Sequence, residues 1–192
     1  MKWAPGATQG TVVAGGNGAG SGLNQLYNPA FVTLDSSGNM YVSDHQNHRI
    51  MKWAPGATAG TVVAGGNGNG SEVNQFNYPF GVTVDSSGNI YVADYNNHRI
   101  MKWASGATVG TVVAGGNGNG SGVNQFNYPY DVAVDSSGNL YVADVYNHRI
   151  MKWAPDATAG TVVAGGNYGS GLNRFRYPHS VDVDSSGNIY VS

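Results

Sequence analysis

Short runs in which apolar and polar residues alternate, punctuated by glycine, asparagine and serine, fill this chain and return about every fifty residues. The stretch from Pro79 to Gly116 shows the order. Gly81–Asp85 (GVTVD) alternates and is β-branched, which predicts a strand. Ser86-Ser-Gly-Asn89 predicts a tight hairpin in which Gly88 takes a positive φ. Ile90–Ala93 reads as a second strand, Asp94–His98 turns the chain, and Arg99–Trp103 makes a third. Ala104–Gly110 is another turn and Thr111–Ala114 a fourth strand. No segment sustains a helical period; one helical turn near Glu72–Phe76 is the most the pattern allows.

The same four-strand pattern is written almost four times. MKWA begins at Met1, Met51, Met101 and Met151, and TVVAGG at Thr11, Thr61, Thr111 and Thr161. Copies 51–100 and 101–150 differ at nine positions, leaving 41 of 50 identical. Self-similarity at this period predicts a repeat architecture. A lone four-stranded sheet that is apolar on both faces cannot bury itself, whereas blades stacked around an axis cover one another. The expected fold is therefore all-β, a β-propeller of four-stranded antiparallel blades.

The ends of the chain fall out of phase with the blades. Residues 1–14 carry strands three and four of a blade, and residues 179–192 carry strands one and two. With three intact blades at about 30–64, 80–114 and 130–164, the chain holds four blades, one of them a composite of the two ends. Pairing residues 189–192 with 1–4 predicts a terminal clasp and a monomer, with a domain-swapped oligomer as the other outcome. The methionine at position 1 stands where every copy has one, which is what a start at a repeat boundary inside a longer array would give.

Composition narrows the functional classes. Charged residues are only 10% of the chain and the net charge is −2, which gives no field for gripping a polyanion. Without cysteine there is no disulfide or thiolate metal site, and the compartment stays open. No apolar run reaches the length of a membrane span, and MKWAPGATQG lacks the apolar core of a signal peptide. Neither a nucleic acid nor a membrane is an expected partner.

Two segments carry a family likeness. Pro79-Phe-Gly-Val-Thr-Val-Asp-Ser-Ser-Gly-Asn-Ile90 and Tyr91-Val-Ala-Asp-Tyr-Asn-Asn-His-Arg-Ile100 resemble the NHL repeat, with equivalents around Asp44 and Asp144. The resemblance implies a β-propeller, usually of six blades. It also implies two uses to weigh, since related propellers include metal-holding lyases and lactonases and some NHL domains bind RNA.

Most candidate chemistry reads better as structure. Asn97-His-Arg99, repeated at 47–49 and 147–149, offers histidine as ligand or base. Recurring once per blade, it more simply shapes a corner in which Asp94 accepts from backbone amides or from Arg99. Asp85-Ser-Ser-Gly-Asn89 has one carboxylate where calcium wants several, so an Asx hairpin turn explains it. Gly65–Gly70 lacks the helix a phosphate loop needs and reads as a flexible linker between blades. Trp3, Trp53, Trp103 and Trp153 share one register and read as packing between blades.

Differences between copies point to one face. Strand direction alternates, so the four-to-one linker and the two-to-three loop lie together, and the copies diverge there. Ala30-Phe31, Phe80-Gly81, Tyr130-Asp131 and His179-Ser180 follow the prolines; His45-Gln46, Tyr95-Asn96 and Val145-Tyr146 follow the strand-two aspartates. Aromatics with a few hydrogen-bonding groups are the mixture of a recognition surface. The expected binding residues are Phe31, His45, Gln46, Phe80, Tyr95, Asn96, Tyr130, Asp131, Tyr146 and His179. The expected function is a non-enzymatic binding or scaffold module for a protein, peptide or glycan, with no cofactor. The alternative is a metal-dependent lyase or lactonase-like enzyme using the central channel.

Overall fold

The computed structural model describes all of residues 1–192. Blade one holds β1 (Val32–Leu34), β2 (Met40–Asp44), β3 (Arg49–Trp53) and β4 (Thr61–Gly65) in sequential antiparallel order. Blade two repeats it as β5 (Pro79–Val84), β6 (Ile90–Asp94), β7 (Arg99–Trp103) and β8 (Thr111–Gly115). Blade three is β9 (Pro129–Val134), β10 (Leu140–Asp144), β11 (Arg149–Trp153) and β12 (Thr161–Gly165). β13 (Val181–Val183) and β14 (Ile189–Val191) pair as an inner half-blade, while the N-terminal outer half is held by a Lys2–Thr11 bridge.

Alternation along the strands gives every blade two apolar faces. Tyr91, Ala93, Ile100 and Ala114 face the following blade, where they meet Val132, Leu140, Val142, Met151 and Trp153. Tyr41, Ile50 and Ala64 do the same against Ile90, Val92, Met101 and Trp103. The core is thus a series of like interfaces rather than one central mass. Each of Trp103 and Trp153 also packs on a phenylalanine of the preceding linker, Phe76 at 4.6 Å and Phe126 at 4.7 Å between centroids.

The corners are built as the aspartate–arginine pattern implies. Asp94 Oδ1 accepts the Asn77 amide at 2.7 Å, and Oδ2 accepts Arg99 Nε at 2.7 Å and Asn97 Nδ2 at 2.8 Å. Arg99 spends its remaining donors on the carbonyls of Ser71, Glu72 and Gln75. Burial pushes the Asp94 carboxyl up, opposed by these donors. In the hairpin, Asp85 accepts from the Ser87 and Asn89 amides, Asn89 Nδ2 and the Tyr91 hydroxyl, which is the Asx turn expected.

Two expectations are corrected. The glycine-rich linker is tied rather than loose: Asn67 Nδ2 donates to the Asn74 carbonyl, Gln75 Nε2 to the Asn67 carbonyl, and Asn97 and Arg99 anchor its centre. Its glycines serve close approach; a side chain at Gly65 (φ 69°) would run into the Phe76 ring and the His48 carbonyl. Glu72–Phe76 forms a single turn closed by the Gln75 amide on the Glu72 carbonyl, within what the sequence pattern allows. The terminal clasp is not made within the chain: the Ser192 backbone bonds only to His179 and Ser180, and the Lys2 backbone only to Thr11. Both halves of the fourth blade are present and complementary, and the arc leaves them apart.

Candidate functional site

Strand one of the second and third blades is irregular at the positions that vary. The β5–β6 register shifts between Pro79 and Val82, and the β9–β10 register shifts where Pro129 and Asp131 meet Asp144 and Ala143. A bulge re-aims the side chains it carries. Here it turns Phe80 and Tyr130 toward each other across the blade boundary. After strand two, a single 3-10 turn (Tyr95–Asn97) ends at His98 with φ 52°, presenting Tyr95 and Asn96 on the same end of the blade.

The aromatics that result form a continuous strip. Phe80 and Tyr130 stack with centroids 4.2 Å apart and planes 25° from parallel. His45 and Tyr95 lie against Phe80 at 4.2 and 4.9 Å; His179 and Phe31 lie edge-on to Tyr130 at 4.9 and 5.8 Å. Phe31 reaches Tyr130, two blades on, across Gly81, where a side chain would run into Asp131. Tyr95 continues the strip to Tyr128 at 4.8 Å, then Tyr146 at 5.3 Å and Tyr177 at 5.5 Å.

Seven of the ten expected residues therefore meet: Phe31, His45, Phe80, Tyr95, Tyr130, Tyr146 and His179. Asn96 borders them, its Nδ2 donating to Asn77 Oδ1 at 3.2 Å. Gln46 belongs to the blade-one turn, its amide bound to the Tyr27 carbonyl. Asp131 is buried and its oxygens are engaged, Oδ2 by Ser180 Oγ (2.8 Å) and the Val181 amide (3.1 Å), Oδ1 by the Val132 amide. It ties blade three to β13 rather than facing a ligand.

Tyr78, Tyr128 and Tyr177 were not among the expected residues. They stand immediately before the prolines with φ of 57°, 58° and 54°, a conformation unusual for a bulky side chain. Each amide donates to the ring of the preceding blade's corner histidine: Tyr78 to His48 Nδ1 (3.2 Å), Tyr128 to His98 (3.2 Å), Tyr177 to His148 (3.3 Å). The recurring Tyr-Pro marks a break in the chain but not this conformation, since a pre-proline residue ordinarily takes extended backbone at negative φ.

The shifts at Tyr95, Tyr130 and His45 all favour the neutral form. Burial, followed by the neighbouring Tyr146, pushes the Tyr95 phenol up to about 12. Burial also raises Tyr130 and lowers His45, the latter opposed by the Pro79 carbonyl at 3.2 Å from Nδ1. The larger grooves lie elsewhere. Two of about 590 and 660 Å³ run between strand four of one blade and the tryptophan and following turn of the next, and none of the ten residues lines them. The site is a surface of packed rings at one end of the blades, apart from these grooves.

Comparisons with known proteins agree with this architecture. The NHL repeat pattern matches residues 76–103 and 126–153. No curated protein matches the chain. Among solved structures, the chain is similar to one from the nidogen/laminin complex, with 22% identity and a TM-score of 0.65 over 87% of this chain and 56% of that one. It is similar to a Bacteroides thetaiotaomicron VPI-5482 structural genomics protein of unknown function, at 20% identity and TM-score 0.64 over 83% and 43%. Virginiamycin B lyase from Staphylococcus aureus shares the fold at 13% identity and TM-score 0.51, over 83% of this chain and 47% of the lyase. The chain thus spans about half the length of these structures, and at such identities the likeness is one of fold. With two repeats matched, a third written in nearly the same residues, and blades whose corners use the same aspartate and arginine, this chain carries NHL repeats folded as β-propeller blades.

Proposed function

We propose that this propeller is a non-enzymatic binding module whose aromatic strip takes a neutral ligand with flat apolar faces, a glycan or an uncharged peptide segment. The observation that carries the reading is the joining of Phe31, Phe80, Tyr95, Tyr130, Tyr146 and His179 into one surface at the positions where otherwise near-identical copies differ. Aromatics already packed on one another lose little freedom when a ligand docks. Arg49, Arg99 and Arg149 are buried in the corners, so the centre of the strip presents no arginine; Arg176, over the Tyr168 ring, stands at its far end beside Tyr177. A lyase or lactonase-like reaction in the channel would need converging ligands or bases. No three His, Asp or Glu side chains converge, and Asp131 is fully engaged.

The test is a panel of neutral glycans and uncharged peptides probed with the chain and with Phe80→Ala, Tyr130→Ala and Tyr146→Ala variants of matched melting temperature. Central aromatics of a recognition surface cost about 2 kcal/mol or more on truncation, roughly thirty-fold in affinity. Binding that survives all three substitutions unchanged removes the strip as the site.

A further inference from the structure

The repeat supplies its own control for the surfaces at the two ends of the arc. Trp53, Trp103 and Trp153 are each 1% exposed, whereas Trp3 is 59% exposed; Met51, Met101 and Met151 are at 0%, and Met1 at 69%. Tyr41, Tyr91 and Tyr141 lie between 3 and 5%, and Tyr190 at 58%. Val82 and Val132 are buried, and their equivalent Val32 is 60% exposed with Leu34 beside it at 65%. What covers each of these positions elsewhere is known from the intact blades. Strand three lies beside strand two, and the inner strands of one blade lie against those of the next. Within these 192 residues the complementary cover is the half-blade at the opposite end of the chain.

We propose that copies of this chain join head to tail through a hybrid blade, β13–β14 of one copy supplying the inner half and Met1–Ala14 of the other the outer half. The register is given by blade two, where Ile90, Tyr91 and Val92 pair with Trp103, Lys102 and Met101. The hybrid pairs Ile189, Tyr190 and Val191 with Trp3, Lys2 and Met1. Lys2 then lies over the Tyr190 ring as Lys102 lies over Tyr91, at 5.4 Å in the intact blade. Trp3 packs on Tyr141, Ile150 and Ala164, and Val32 and Leu34 close over Tyr190. The contact is continuous with the interface already formed twice inside the chain. It is heterologous, so it ends in a ring or runs on as a filament. Two copies closed in this way leave no half-blade unpaired and set two aromatic strips around one mouth.

Light scattering of the 192-residue chain over a range of concentrations is expected to give a multiple of 20.0 kDa. The chain has no cysteine, so Lys2→Cys with Tyr190→Cys introduces the only thiols, directly opposite one another in the hybrid register. After oxidation, non-reducing electrophoresis should show covalent dimers or a ladder. A cross-linked single chain, or no cross-link together with a 20.0 kDa species at every concentration, overturns the proposal. A second variant, Val32→Glu with Leu34→Glu, places charges at positions exposed in the single chain. Near-UV circular dichroism should stay unchanged while the mass falls to one chain; an unchanged multiple also overturns it.

Discussion

At the scale of single residues, the corner histidines give the clearest consequence. A backbone amide can only donate, so His48 Nδ1 and His98 Nδ1 must be unprotonated to accept from Tyr78 and Tyr128. Burial lowers the pKa of His48 and His98, and His45 shifts the same way. With the folded value below the unfolded one, near 6.5, the unfolded chain binds more protons as pH falls through that value. Stability is thus complete above about pH 6.5 and declines below it, so the melting temperature should hold from pH 7.5 to about 6.5 and fall from there to pH 5. The double variant His48→Asn, His98→Asn keeps an acceptor and tolerates the left-handed backbone, so it should flatten that slope; an unaltered slope would assign the loss to other groups. Gly65→Ala should destabilise by 1 kcal/mol or more, read from urea midpoints, because a Cβ there meets backbone and a packed ring at positive φ. The triplet's role at a corner was legible from its recurrence once per blade. The tyrosine it accepts from was not, because that contact joins residues thirty apart and depends on a φ that sequence pattern does not show.

At the scale of the element, strands and hairpins were legible because each has its own local chemistry: alternation for β6, Asp85-Ser-Ser-Gly-Asn89 for the turn before it. The linker was misread because its order comes from outside itself. Gly70, Ser71, Glu72 and Gln75 look unconstrained in sequence, yet their carbonyls are held by Asn97 and Arg99 from the next corner. Arg99 therefore joins an ion pair to a linker, and its loss strands both. Arg99→Ala should cost about 3–5 kcal/mol, the range for breaking a buried pair and leaving its partner charged. Asp94→Asn, with Arg99 kept, should cost less because the linker carbonyls retain their donors; urea denaturation of the two variants separates the contributions. On the other side of the blade, Trp103→Ala should cost roughly 3–5 kcal/mol through the cavity left against Phe76 and the preceding sheet.

At the scale of the whole molecule, the period foretold blades, while the path of the arc was beyond its reach. Counting strands shows that the two ends make one blade; it does not show whether the curvature between successive blades brings Ile189 round to Trp3. That curvature is set by side-chain volumes at interfaces such as Ile100 against Met151, which no local pattern encodes. A molecule whose core is a row of like interfaces should behave as a one-dimensional array, each unit stabilised by its neighbours. Blade two has an intact blade on each side. β13–β14 has one neighbour and three residues per strand, and the Lys2–Thr11 bridge has less. Amide hydrogen exchange reports opening free energies site by site. In dilute solution, protection should be greatest at Ile90–Asp94 and Arg99–Trp103, lower in blades one and three, and least at Lys2, Thr11 and Ile189–Val191. Raising the concentration should leave blade two almost unaffected and selectively slow exchange at Trp3, Ile189 and Val191, because their amides face the open seam, whereas the Lys2 amide is already bonded to Thr11. Uniform protection along the chain at the lowest concentration would instead mean a single cooperative unit, and the row of independent interfaces would have to be abandoned.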